Sequence, residues 1–158
     1  MLGVPVEYFG FIFLSSVVGY MLGSAVSARL TRYYAPEQTI LLGATLVAIA
    51  TGAMWLGAQQ SPDSISALVL PMVFYSTGMG LVLPNAMAVA LRPFPHIAGT
   101  ASALMGFIQM SMSAAATALV GALLKDTPAP MLVFMFLATL LALGLSILVY
   151  QRYTRTKP

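Results

Sequence analysis

Cysteine is absent from this 158-residue chain, histidine and tryptophan occur once each, and only four side chains are acidic. The lack of cysteine excludes disulfides, a thiolate nucleophile and a thiolate metal site. Charge of either sign is scarce too: 7% of residues are Asp, Glu, Lys or Arg, against about 25% in an ordinary soluble domain. So few charges cannot cover a water-facing surface. What is present is apolar, 59% hydrophobic residues with a mean hydropathy of +0.92. The chain therefore reads as a single all-α integral membrane domain over residues 1–158, with short loops and no separate soluble unit. A net charge of +3, spread along the chain, is too small to point to nucleic acid.

Five uncharged runs follow one another, at about residues 8–28, 38–59, 64–91, 96–124 and 131–150. Each is long enough to cross a hydrocarbon core of about 30 Å at about 1.5 Å per helical residue. A secretory signal is the rival reading of the first run, because Val26-Ser27-Ala28 resembles a cleavage site. The lead-in, however, holds Glu7 and no Lys or Arg, the reverse of a signal's positive flank. Ser15, Gly19, Gly23 and Ser27 recur every fourth residue in this run. They place four small side chains on one face, and the Gly19–Gly23 pair allows another helix to approach closely.

The second run carries a weaker stripe, Ala44, Ala48 and Gly52, with Trp55 as an interfacial anchor near its far end. Gln60, Ser61, Pro62 and Asp63 then form a compact turn. The third run is punctuated by Pro71, Gly78, Gly80 and Pro84. Such breaks free backbone groups, which is tolerated only where protein or a water-lined cavity supplies partners. It is accordingly the best candidate to line a pathway. The fourth run, dense in Gly, Ala, Ser and Thr, is expected to pack tightly on more than one side. The fifth, mostly Leu, Phe, Met and Val, reads as a lipid-facing flank.

Charge placement predicts the orientation. One set of ends and loops holds Arg29, Arg32, Arg92, Arg152, Arg155 and Lys157, and the other only Lys125. Such a bias puts the C-terminus in the cytoplasm and the N-terminus outside. These arginines read first as topological anchors. No Asp, Glu, Lys or Arg lies within the five runs, so ion or proton coupling, which usually needs an intramembrane ionisable group, has no candidate here. His96, alone at a corner, has no acid-base partner, nucleophile or metal ligand beside it, so no catalytic site, metal or cofactor is expected.

The stretch around which the rest is organised is Pro84 to Gln109. Arg92 is its only charge, set among Pro93, Pro95 and His96 between two long apolar runs. Asn85-Ala86-Met87-Ala88-Val89, then Phe94-Pro95-His96, then Ala98-Gly99-Thr100-Ala101-Ser102-Ala103-Leu104 resembles a known turn. It is the one between the tenth and eleventh spans of the bicyclomycin-resistance (Bcr/CflA-type) drug exporters, within the major facilitator superfamily. Gly23 through Arg32 looks like the degenerate C-terminal copy of the superfamily's cytoplasmic loop motif. The acidic residue of the stronger copy is missing, Ser27 stands nearby, and Ser27 is assigned no role.

The resemblance implies a partial major facilitator fold, spans eight to twelve of about twelve, lacking the first half and the seventh span. It implies export of small apolar drug-like substrates from the bacterial inner membrane in exchange for protons, the coupling acid belonging to the missing half. Asn85, Arg92, Pro95, His96 and Gly99 would form the cytoplasmic loop motif. Tyr75, Ser76, Met79 and Leu83 of the third span and Phe107, Gln109 and Met110 of the fourth would line the substrate cavity, where aromatic and Met side chains adapt to varied ligands. Ordinary helix packing is the alternative for all seven. For the chain as a whole the alternative is a small five-span accessory or structural subunit that transports nothing itself.

Overall fold

The computed structural model describes residues 6–60, 65–123 and 129–156. The turn at Ser61–Asp63 and the charges Lys125 and Lys157 lie outside the described residues. Five α-helices, each long and apolar enough to cross a membrane, account for nearly all of those residues. They are α1 (Val6–Leu30), α2 (Pro36–Gln60), α3 (Ile65–Leu91), α4 (Ala98–Leu123) and α5 (Ala129–Thr156), with a short 3-10 turn, Pro95–Ile97, ahead of α4. The fold class is the one the composition demanded. Each helix forms for the same reason: hydrocarbon offers no partner to an open N–H or C=O, so every backbone group is satisfied within the segment.

The helices do not form a ring around one core. α3 is central, packed on α1 along one side and on α2 along another, and α2 in turn carries α5. The α1–α3 crossing is backbone on backbone. A Cβ added at Gly19 would come within 2.8 Å of the Val73 carbonyl oxygen, and one at Gly23 would collide with the Thr77 carbonyl. From the other side, a Cβ on Gly80 would strike the Tyr20 carbonyl and come within 2.8 Å of the Ser24 amide nitrogen. Glycine is thus required on both helices at one crossing, as in close membrane-helix pairs generally. The α2–α3 contact repeats the device with Gly43 and Gly78. A Cβ on Gly78 would meet Val47 at 2.6 Å and the Gly43 carbonyl oxygen at 2.9 Å.

Pro71 and Pro84 both lie inside α3, which stays one helix from Ile65 to Leu91. Pro84 lacks the N–H that the Gly80 carbonyl would otherwise accept from, at the residue where α1 crosses. α2 and α5 are joined by a hydrogen bond between Thr51 and Thr139, 2.9 Å apart, and by Trp55 stacked on Phe136 with centroids 6.2 Å apart. Trp55 therefore packs between helices as well as standing near a span's end. Only part of α5 is a free flank, because Thr139 and Ser146 on its inner face are buried.

α4 departs from expectation. It touches α3 and α5 only marginally, and Gly99, Gly106 and Gly121 have nothing within 4 Å of an added Cβ. Its small residues describe a surface suited to close packing, which the other described helices cover only marginally.

The crossing predicts a sharp contrast among glycines. Gly23→Ala should lower the midpoint of thermal unfolding of the chain in mild detergent, by the equivalent of about 1–3 kcal/mol of overpacking. Gly10→Ala, with open space around its Cβ, should leave it unchanged. Equal midpoints for the two variants would contradict the α1–α3 packing.

Candidate functional site

The polar chemistry of the chain gathers where α1 and α3 end and α2 begins. α2 starts at Pro36, whose missing N–H costs nothing at a first helical position. The Gln38 side-chain oxygen reaches back to accept from the Ala35 amide at 3.1 Å, the returning half of a capping box. That start draws Glu37 into the first turn, where a carboxylate complements the helix dipole. There it is buried against α3, only 5% exposed, and Oε1 accepts from Arg92 Nη1 at 2.9 Å. Oε2 has no hydrogen-bond partner among the described residues. The Arg92 side chain is 57% exposed, so the pair has one dry end and one wet one.

One turn and more further in, Asn85 is buried against α1. Its Nδ2 donates to Ser27 Oγ at 2.6 Å and to the Leu81 carbonyl at 2.7 Å. Such interhelical bonds are worth about 0.6 kcal/mol on average and up to about 1.7, enough to choose between neighbouring registers. The two interactions tie the end of α3 to α1 and to α2 at once. The corner itself turns through Phe94, whose amide donates to the Leu91 carbonyl at 2.9 Å. Pro95 and His96 lie in the 3-10 turn and, like Gly99, are exposed. Of the five loop-motif residues, the structure thus gives interior partners to Asn85 and Arg92.

The residues expected to line a cavity fall into two groups. Tyr75, Ser76, Met79 and Leu83 share one half-exposed face of α3 opposite Leu81, bordered by Gly80 one turn from Ser76 and Gly78 one turn from Tyr75, where α1 and α2 pack. The Ser76 hydroxyl donates to the Met72 carbonyl at 3.0 Å, so it is satisfied within its own helix. On α4, Phe107 and Met110 are 69% and 70% exposed, and Gln109 is exposed as well. Phe107 and Gln109 are two residues apart, close to opposite sides of a helix at 100° per residue. The fold does not bring the α3 and α4 groups together into an enclosed space.

Comparison with known proteins bears on what such a frame belongs to. No family model matches the chain, and no solved structure matches it. A bicyclomycin resistance protein homolog of Haemophilus influenzae is 32% identical over 131 residues, 82% of this chain and 32% of that protein. The chain belongs to the major facilitator superfamily. YdgK, an uncharacterized MFS-type transporter of Bacillus subtilis, is 26% identical over 88% of this chain and 34% of its own length. Multidrug resistance protein D of Escherichia coli is 36% identical over a shorter stretch, 35% of this chain and 14% of its own length. The chain spans about a third of the length of the first two relatives. As a member of this superfamily it is a multi-pass membrane protein, and its relatives are transporters.

Against that background two functional pairings stand out that residue types alone did not reveal. Ser27, assigned no role from the loop motif, is the buried acceptor for Asn85. Glu37, which falls between the first two uncharged runs of the sequence, is inside the helical frame and holds Arg92, which is therefore more than a topological anchor. The available signal was the position of Glu37 directly after a helix-starting proline.

Removing Arg92 strands a buried carboxylate, whereas removing the charge of Glu37 leaves an arginine that water can reach. Arg92→Gln should therefore destabilise the chain more than Glu37→Gln, and adding Glu37→Gln to Arg92→Gln should restore part of the loss. A double-mutant cycle of unfolding midpoints measures this, and strictly additive effects would count against the pair.

Proposed function

We propose that this chain is part of a multidrug efflux pump of the bacterial inner membrane. In this reading small apolar drugs leave in exchange for protons, by rocking of two helical halves about a central site. The coupling acid belongs to spans outside this sequence, because the five uncharged runs hold no Asp, Glu, Lys or Arg. The C-terminus and the Arg92 corner are cytoplasmic and the N-terminus outside, by the six-to-one distribution of basic residues.

One observation carries the reading. α3 is packed on both α1 and α2, yet it keeps the face bearing Tyr75, Ser76, Met79 and Leu83 half-open. A face that is neither sealed by this chain nor charged suits an apolar ligand held between two halves. Phe107, Gln109 and Met110 present further uncovered side chains on α4, Met adapting its shape and Gln109 offering the one amide. The names of the relatives, bicyclomycin resistance and multidrug resistance, support the substrate class. A bare α4 would also serve an accessory subunit docking on a separate transporter, a reading in which the α3 face has no part in resistance.

Alanine at the positions equivalent to Tyr75 and Met79 in a full-length relative should change drug resistance severalfold at unchanged protein level. Unaltered resistance would remove these side chains from the pocket and favour the accessory reading. The absence of cysteine provides a clean background for the orientation. A Phe94→Cys variant should react with an impermeant maleimide only after the cytoplasmic side is opened, and labelling of intact cells would reverse the topology.

A further inference from the structure

Between α2 and α5, on the side away from α3, runs an open groove of about 620 Å³. Its floor is apolar, built from Leu41, Leu42, Leu46 and Ile49. Thr45 lies among them, but its hydroxyl donates to the Leu41 carbonyl at 2.8 Å and adds little polarity. Leu42 and Ile49 are 54% and 64% exposed, so the groove opens outward, toward lipid in a membrane-spanning chain. The remaining lining residues are of another character: Tyr34, Gln38 and Tyr150.

Cations lie near these residues in sequence. Arg32 precedes Tyr34 by two residues in the exposed turn after α1, and Arg155 is exposed in the last turns of α5 beyond Tyr150. Arg152, which has a contact of its own within the chain, lies between them in sequence. The acid next to Gln38 in sequence, Glu37, points into α3 and is held by Arg92, so it does not oppose an anion in the groove. Glu7, Asp63 and Asp126 belong by chain order to the other side of the membrane.

We propose that this groove binds an anionic phospholipid, one acyl chain lying along Leu42, Leu46 and Ile49 and the phosphate among Tyr34, Gln38, Tyr150 and the flanking arginines. A long apolar trough lined also by Tyr34 and Tyr150, with the exposed Arg32 and Arg155 near them in sequence, matches a ligand with an apolar tail and an anionic head. The volume falls within the range of about 300–1,000 Å³ typical of pockets for small ligands. Aromatic side chains with one wet edge settle at the headgroup level, and basic pockets at the cytoplasmic ends of membrane helices suit anionic headgroups. A zwitterionic lipid would fill the trough equally but gain little from the arginines. The proposal rests on membrane insertion alone, so loss of drug export in a relative would leave it standing, and its failure would leave the export reading intact.

The test uses the full chain in lipid nanodiscs, with phosphatidylglycerol carrying a photoactivatable acyl chain. Crosslinks should concentrate on the segment 34–49 and around Tyr150, and unlabelled phosphatidylglycerol should compete at least fivefold better than phosphatidylcholine. Arg32→Gln together with Arg155→Gln should erase that preference, each arginine being worth about fivefold. Leu42→Trp, which fills the trough, should abolish the crosslinks. Leu141→Trp, at another exposed site on α5, should not, and it controls for general damage. Crosslinks spread evenly over α2, α4 and α5, equal competition by the two lipids, or undiminished crosslinking in Leu42→Trp would each overturn the proposal.

Discussion

The structure depends on how closely two backbones can approach. Where α1 crosses α3, Gly23 meets the Thr77 carbonyl and Gly80 meets the Tyr20 carbonyl, so neither helix has room for a side chain at that point. In lipid no hydrophobic force draws helices together, and close packing with interhelical hydrogen bonds must do so instead. The crossing supplies the first and delivers the second. By fixing the register of α3 it sets Asn85 against Ser27, and by fixing the far end of α3 it sets Arg92 against Glu37. Gly43 and Gly78 do the same for α2, and the polar cluster is a consequence of these contacts rather than their cause.

Much of this frame was legible because its signals are cumulative. Span number follows from runs of about twenty uncharged residues, which no other structure tolerates. The spacing of Gly19 and Gly23 shows that a close approach is possible, and both indeed lie against α3. Which helix approaches was not legible, because spacing within one segment carries no information about its partner. Ser27 and Glu37 were missed for a related reason. A serine is a common residue in membrane helices, and an acid beside a loop is by default solvated. Only the antiparallel return of α2 along α3 turns Glu37 inward.

The expectation for α4 went astray in a more instructive way. Small residues were read as evidence of tight packing, and the reading of their chemistry was sound. The expected packing on more than one side is not met among the described helices. A helix of this composition touches its neighbours only marginally here. The surface that Gly99, Gly106 and Gly121 leave open is shaped for backbone contact.

The distribution of polarity also fits the mechanical role that the proposed rocking of two halves would assign to such a frame. Rigid-body motion of a helical half requires that its helices keep their mutual registers while their outer faces change partners. α1, α3 and α2 are locked by glycine crossings, and the buried polar bonds that reinforce them lie at one end, at Asn85 and Glu37. At the α2–α5 end of the row the Thr51–Thr139 bond holds α5 to α2. The α3 face from Tyr75 to Leu83 takes part in none of these interhelical bonds. It can be wetted, occupied or covered without disturbing the registers, because the contacts that hold the row together are made by other residues of the same helix, Gly78, Gly80 and Asn85 among them. The half-buried Glu37–Arg92 pair marks the edge of that rigid unit, since beyond Arg92 the chain turns into the exposed corner and leads to the helix least attached to the rest.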